Sequence, residues 1–111
     1  VLIDVNHEMQ VMREETFGPV APIMPFDTIE EAVAYANDSP YGLVAYIYTN
    51  DVRTLTQVTE ELDYGTVGVN NVAGGEFPYP YGGWKQSGLG VENSHYATEQ
   101  YLQLKHVRIE L

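Results

Sequence analysis

A chain of 111 residues with 44% apolar content suffices for one small folded domain and is too hydrophobic to read as disordered. Its formal net charge of -11, from 16 acidic residues against 5 Lys and Arg, argues against a nucleic-acid backbone or an anionic membrane surface as partner. The absence of cysteine excludes a disulfide framework, a thiolate metal site and a cysteine nucleophile, and no apolar run approaches the roughly 20 residues of a membrane span, so a cytoplasmic protein is expected.

The sequence opens in an apolar stretch, Val1-Leu2-Ile3-Asp4-Val5, without an initiating Met, as if cut from something longer. Gly18-Pro19 then punctuates a mostly apolar run from Val20 to Phe26 that suits a buried strand, although Pro22 and Pro25 point to an edge or a bulge. Thr28-Ile29-Glu30-Glu31 has the form of a capping box and predicts a helix start. Ile29, Ala32, Val33 and Ala36 recur on its apolar face, and Asn37-Asp38-Ser39-Pro40 stops it. The unit repeats: Leu43 to Tyr48 reads as a strand, Thr49-Asn50-Asp51 offers caps, and Val52, Leu55, Val58, Thr59 and Leu62 line a second helical face that Gly65 closes. Thr66 to Asn70 is a third strand. The strand-helix-strand-helix-strand order predicts an α/β fold with a parallel sheet.

Residues 71 to 90 carry eight Gly and Pro with little periodicity, the mark of a functional loop. A short helix is expected from Glu92 to Tyr101, and Lys105 to Leu111 alternates polar and apolar residues as a terminal strand does. Its free edge invites pairing with another subunit.

Two segments carry more than fold class: Glu14-Glu15-Thr16-Phe17-Gly18-Pro19-Val20 and Pro80-Tyr81-Gly82-Gly83-Trp84-Lys85-Gln86-Ser87-Gly88-Leu89-Gly90. With Ala36-Asn37, Tyr41-Gly42-Leu43 and Gly65 to Asn70 between them in order, the chain closely resembles the C-terminal part of the aldehyde dehydrogenase superfamily over nearly its whole length. The resemblance implies part of that family's catalytic domain over residues 1–103 and an oligomerisation strand over 104–111. It also implies that Glu15 holds the nicotinamide ribose of NAD or NADP and that Phe17 packs near the ring. A carboxylate suits the first role because its two oxygens can accept from both ribose hydroxyls. An aromatic face suits the second because hydride transfer depends on ring orientation.

The glycine-rich segment resembles a family loop that passes close to the substrate channel, which makes Tyr81 the best candidate for a channel aromatic, with Asn70 and the loop from Asn71 to Tyr79 as neighbours. Core packing is an equal alternative for Tyr81, and Glu14 reads as a surface residue. Tyr81 stands where the family usually has Phe, and Val91 where it has Arg, so an ion pair of that Arg is missing. Lys85 and Ser87 fail the spacing of a phosphate-binding loop. Glu92 and His95 have the Glu-x-x-His spacing of di-iron bundles in one copy only, and His7, His95 and His106 read as surface or edge residues.

In the family a cysteine thiolate attacks the aldehyde, hydride passes to the nicotinamide, and a glutamate-activated water hydrolyses the thioester. The resemblance places those groups upstream, so this chain alone is expected to be inactive and to contribute cofactor positioning and channel walls. The partners implied are an aldehyde substrate and copies of the same chain in a homo-oligomer, with no nucleic acid and no membrane. Two other readings remain at this point, a non-catalytic stand-alone binding or assembly module and a structural α/β domain without dinucleotide.

Overall fold

A computed structural model describes residues 1–72 and 77–111, which fall into two compact units: Val1–Ser39 with Asp51–Leu62, and Pro40–Asn50 with Asp63–Leu111. The first unit is helical, with α1 (Gln10–Arg13), α2 (Ile29–Asn37) and α3 (Val52–Glu61). Helix α2 starts at Thr28, whose side chain accepts from Glu31 N at 3.2 Å. The Glu31 carboxylate reaches one residue further back than the expected box and accepts from Asp27 N at 2.8 Å and from the Tyr35 hydroxyl at 2.9 Å. Those bonds hold Glu31 below the usual carboxylate range, and the same Glu31 contact pushes the Tyr35 phenol up. Helix α3 starts at Asp51, which accepts from the Arg53 and Thr54 backbone N–H groups and from the Thr54 hydroxyl and is held low by them. Each cap satisfies donors that a helix N-terminus leaves without intrahelical partners.

Helices α2 and α3 pack together and are tied at two points. Gln57 Nε2 donates to Glu30 Oε1 at 3.1 Å, which lowers the Glu30 carboxyl, and Asn37 Nδ2 donates to the Glu61 carbonyl at 2.7 Å near the end of α3. Val33, Val58 and Leu62 are the buried hydrophobic residues among those described, on the faces the sequence predicts. Val52 departs from that face and is exposed, because it begins the helix where the chain has only just left its cap. The expected strand from Val20 to Phe26 is reduced to one parallel bridge between Leu2 and Pro22, with Leu2 N donating to Ala21 O and Ile23 N to Leu2 O, each at 2.9 Å. Pro22 and Pro25 lack the N–H that would extend the ladder.

The second unit contains β1 (Tyr41–Gly42), β2 (Val44–Ile47), β3 (Thr66–Val69), β4 (Trp84–Lys85) and α4 (Ser94–Glu99). Strands β2 and β3 pair in parallel, Val44 opposite Thr66 through Ile47 opposite Val69, and α3 lies between them in sequence as a parallel pair requires. The Tyr46 ring lies across its partner Gly68, where an added Cβ would come within 2.7 Å of the ring. Strand β1 pairs antiparallel with β4.

Gly65 has a role other than the expected closing of α3, which ends at Glu61. Its N–H donates to Gly42 O at 3.0 Å, and a Cβ on Gly65 would stand 1.8 Å from Gly82 O. Residues 104–111 are exposed and carry no assigned strand in the single chain, where no strand among the described residues faces their backbone groups.

Two outcomes are expected. Gly65→Ala should destabilise the folded protein by at least about 3 kcal/mol in chemical denaturation, since backbone cannot yield as a side chain tip can. Asp51 and Glu31 have folded-state pKa values below their unfolded ones, so their contribution is complete above the ordinary carboxylate range and drains away as pH falls through the lowered values. Asp51→Asn keeps an acceptor oxygen and should flatten that acid-side loss in a pH series of thermal melts.

Candidate functional site

In the first unit α1 delivers the Glu14–Phe17 segment. Arg13, in its last turn, lies 3.4 Å from both Glu8 and Asp38. His7 Nε2 is hydrogen-bonded to Asp38 Oδ2 at 2.8 Å, and the His7 ring stacks on Tyr35 at 4.7 Å. His7 is therefore no surface residue: its side chain is only 14% exposed, covered by the aromatic ring and the carboxylate at the end of α2. Together these contacts fix the chain leading into α1.

After Arg13 the two adjacent glutamates diverge. Glu14 N donates to Gln10 O, and the Glu14 carboxylate accepts from Gln10 Nε2 at 2.8 Å. The exposed Glu15 carboxylate makes no hydrogen bond or ion pair among the described residues, and Phe17 is 92% exposed. A shallow cavity of about 370 Å³ is lined by Gln10, Val11, Glu14, Glu15 and Thr16. An unengaged carboxylate two residues from an unburied aromatic face can accept from a diol and cover a flat ring, which is the donor and acceptor demand of a nicotinamide riboside. An exposed Phe also forgoes the roughly 1.5–3 kcal/mol that burial of its side chain contributes.

In the second unit Tyr81 is half-buried and exchanges two backbone hydrogen bonds with Glu92, Tyr81 N to Glu92 O at 3.0 Å and Glu92 N to Tyr81 O at 2.7 Å. The intervening segment folds back tightly: an added Cβ on Gly82 would meet Gly90 O at 2.5 Å, and one on Gly83 would meet Ser87 at 2.7 Å. Ser87 Oγ accepts from Gly42 N at 2.9 Å, anchoring the turn to β1. Positive φ angles concentrate here, at Lys85, Gly88, Gly90, Asn93 and Ser94, a density of left-handed backbone that marks a segment held by its surroundings. A cavity of about 380 Å³ opens between Tyr81, Ser87, Leu89, Val91 and Tyr101. Lys85 Nζ lies 4.0 Å from Asp63 and 5.6 Å from the centre of the Tyr64 ring, so it is engaged within the unit. Burial and the neighbouring Asp63 push the Tyr64 phenol up.

Asn70 follows β3 at a φ of 50°, and both ends of its carboxamide bond to backbone. Oδ1 accepts from Thr49 N at 2.9 Å and Nδ2 donates to Thr49 O at 2.8 Å, while Asn70 N donates to Ile47 O. Its side chain thus splices the ends of β2 and β3 together. The four residues singled out from the sequence divide between the units, Glu15 and Phe17 in the first and Asn70 and Tyr81 in the second. Of the expected loop from Asn71 to Tyr79, residues 73–76 lie outside the described residues. Among the described residues no three His, Asp or Glu side chains gather as a metal site, and no helix is long and apolar enough to cross a membrane.

Sequence reasoning missed Gln100 altogether. Its side chain accepts from Val91 N at 3.1 Å and donates to Val91 O at 2.5 Å, a pairing with backbone nine residues away that leaves no signature in residue types.

The family model described as the aldehyde dehydrogenase family matches residues 1–107. The chain is 47% identical over 107 residues to the 3-sulfolactaldehyde dehydrogenase of Pseudomonas putida, covering 96% of this chain and 22% of that one. It is also 47% identical to the mitochondrial succinate-semialdehyde dehydrogenase of Homo sapiens, with 96% and 20% covered. Among solved structures, the indole-3-acetaldehyde dehydrogenase of P. syringae in complex with NAD+ and IAA superposes with a TM-score of 0.92 at 42% identity, covering 98% of this chain and 22% of that one. An E. coli NADP dependent enzyme gives a TM-score of 0.92 at 43% identity, with 98% and 23% covered. The chain spans about a fifth of the length of these relatives.

Asn70→Ala removes two hydrogen bonds to Thr49 and should cost roughly 1–2 kcal/mol in urea denaturation. Asn70→Asp keeps the acceptor but sets an oxygen against Thr49 O, and should be at least as destabilising.

Proposed function

The chain belongs to the aldehyde dehydrogenase family, and we propose that it is the C-terminal portion of an NAD(P)-dependent enzyme that oxidises an aldehyde to a carboxylic acid. The observation that carries this reading is the match of residues 1–107 to the family, together with the superposition of 98% of the chain on a dehydrogenase solved with NAD+. The chain has no cysteine, so a thiolate nucleophile would come from polypeptide outside it, and the chain by itself is inactive in this proposal. In keeping with that, Val33, Val58 and Leu62 are the buried hydrophobic residues among those described, while many large apolar side chains are exposed.

Within such an enzyme NAD(P) supplies the hydride acceptor. Glu15 accepts from the nicotinamide ribose hydroxyls, a role supported by its exposed and unengaged carboxylate. Phe17 lies along the nicotinamide and narrows its swing, a role supported by its unburied ring beside the Glu15 segment. Tyr81 walls the aldehyde channel from the second unit. Asn70 acts there through backbone, setting the end of β3 from which the channel loop departs.

Residues 1–103 form the catalytic-domain part and 104–111 the oligomerisation strand, whose exposed Val107, Ile109 and Leu111 alternate with polar residues as a strand joining another copy requires. The substrate is placed only as an aldehyde: three of the similar proteins above are named for aldehydes of different chemistry. A cytoplasmic location is part of the proposal, although the human relative is mitochondrial by name.

The test is kinetic, in the full-length enzyme carrying this sequence. Glu15→Ala should raise the KM for NAD(P) about tenfold with aldehyde KM little changed, and Phe17→Ala should lower kcat more than it raises either KM. Unchanged cofactor kinetics in both variants would remove these two residues from the cofactor site.

A further inference from the structure

We propose that Gln100 is a positioning residue that sets Tyr81 in the aldehyde channel, an inference that rests on the reading of Tyr81 as a channel wall. The Gln100 carboxamide pairs with the Val91 peptide on both sides, Val91 N to Oε1 at 3.1 Å and Nε2 to Val91 O at 2.5 Å, and its second amide hydrogen reaches Tyr96 O at 3.3 Å. A primary amide has two donors and an acceptor on adjacent atoms, and all three directions are used here. Val91 is apolar and has no side-chain means of anchoring itself, so the Gln100 amide is what holds its peptide group. The next residue, Glu92, carries the two-bond bridge to Tyr81. The path from α4 to the aromatic ring is therefore Gln100 to Val91, one covalent step to Glu92, and two backbone hydrogen bonds to Tyr81.

Gly90 belongs to the same device. It sits at a φ of +92°, and a Cβ there would fall 2.6 Å from Gln100 Oε1. The absence of a side chain at Gly90 lets the carboxamide approach the backbone edge-on. Hydrogen-bonded to backbone and three links from the channel wall, Gln100 acts on the reaction by placing Tyr81 and takes no part in the chemistry.

The experiment uses the full-length enzyme with Gln100→Ala, Gln100→Glu and Tyr81→Ala. Gln100→Glu is nearly isosteric and keeps an acceptor for Val91 N, but it has no donor for Val91 O or Tyr96 O, so it separates lost pairing from lost bulk. Both Gln100 variants should raise aldehyde KM about fivefold, the size of one lost hydrogen bond, with kcat and cofactor KM within about twofold. Both should also speed amide hydrogen exchange in residues 80–92. Wild-type exchange and aldehyde KM in the Gln100 variants, with a raised aldehyde KM in Tyr81→Ala, would overturn the inference and leave the channel reading standing. An unchanged aldehyde KM in Tyr81→Ala would remove the channel reading and this inference with it.

Discussion

The second unit depends on places where backbone meets backbone with no side chain between. Gly65 lies against Gly82, Gly82 against the carbonyl of Gly90, and Gly42 against the carbonyl of Asp63, each at a distance that a Cβ would violate. These approaches bring β1, the start of β3 and the turn through Gly83 within hydrogen-bonding reach of one another. Gly65 N can then reach Gly42 O, and Gly42 N can reach Ser87 Oγ. The strained segment from Lys85 to Ser94 is held from outside by those contacts, since so many left-handed residues in ten positions have little local reason to stay folded.

Much of the helical architecture was legible because its causes are local. Thr28 caps the helix it was expected to cap, Asp51 is the cap among the three residues that offered one, and Val33, Val58 and Leu62 fall on the buried faces. The parallel pair of β2 and β3 followed from alternation of elements along the chain. The failures share a different cause, dependence on a partner that sequence does not display. Val20 to Phe26 has strand composition but two prolines that break its ladder. His7 looked like a surface histidine because Asp38 and Tyr35, which cover it, stand some thirty residues away.

The candidate site divides along the same line. Glu15, Phe17 and Tyr81 were reached through motif order, and the structure adds that the Glu15 carboxylate is unengaged where the adjacent Glu14 is tied to Gln10. Gln100 was out of reach because backbone offers the same N–H and C=O at every residue, so nothing in the identity of Val91 points to its partner. Gly65 was read as a helix terminator for want of any sign that Gly82 would lie against it.

Asn70 and Gln100 use one device twice, a side-chain amide that imitates a neighbouring strand by giving and taking one hydrogen bond with a single residue. Such a device is vulnerable to chemical ageing. Hydrolysis of a carboxamide leaves shape and size almost unchanged, yet it replaces the donor with a second acceptor and adds a negative charge to a chain already at -11. At Asn70 that single atom exchange would set oxygen against Thr49 O and part the ends of two strands. Loss of either amide nitrogen would therefore remove a backbone-pairing donor from the second unit.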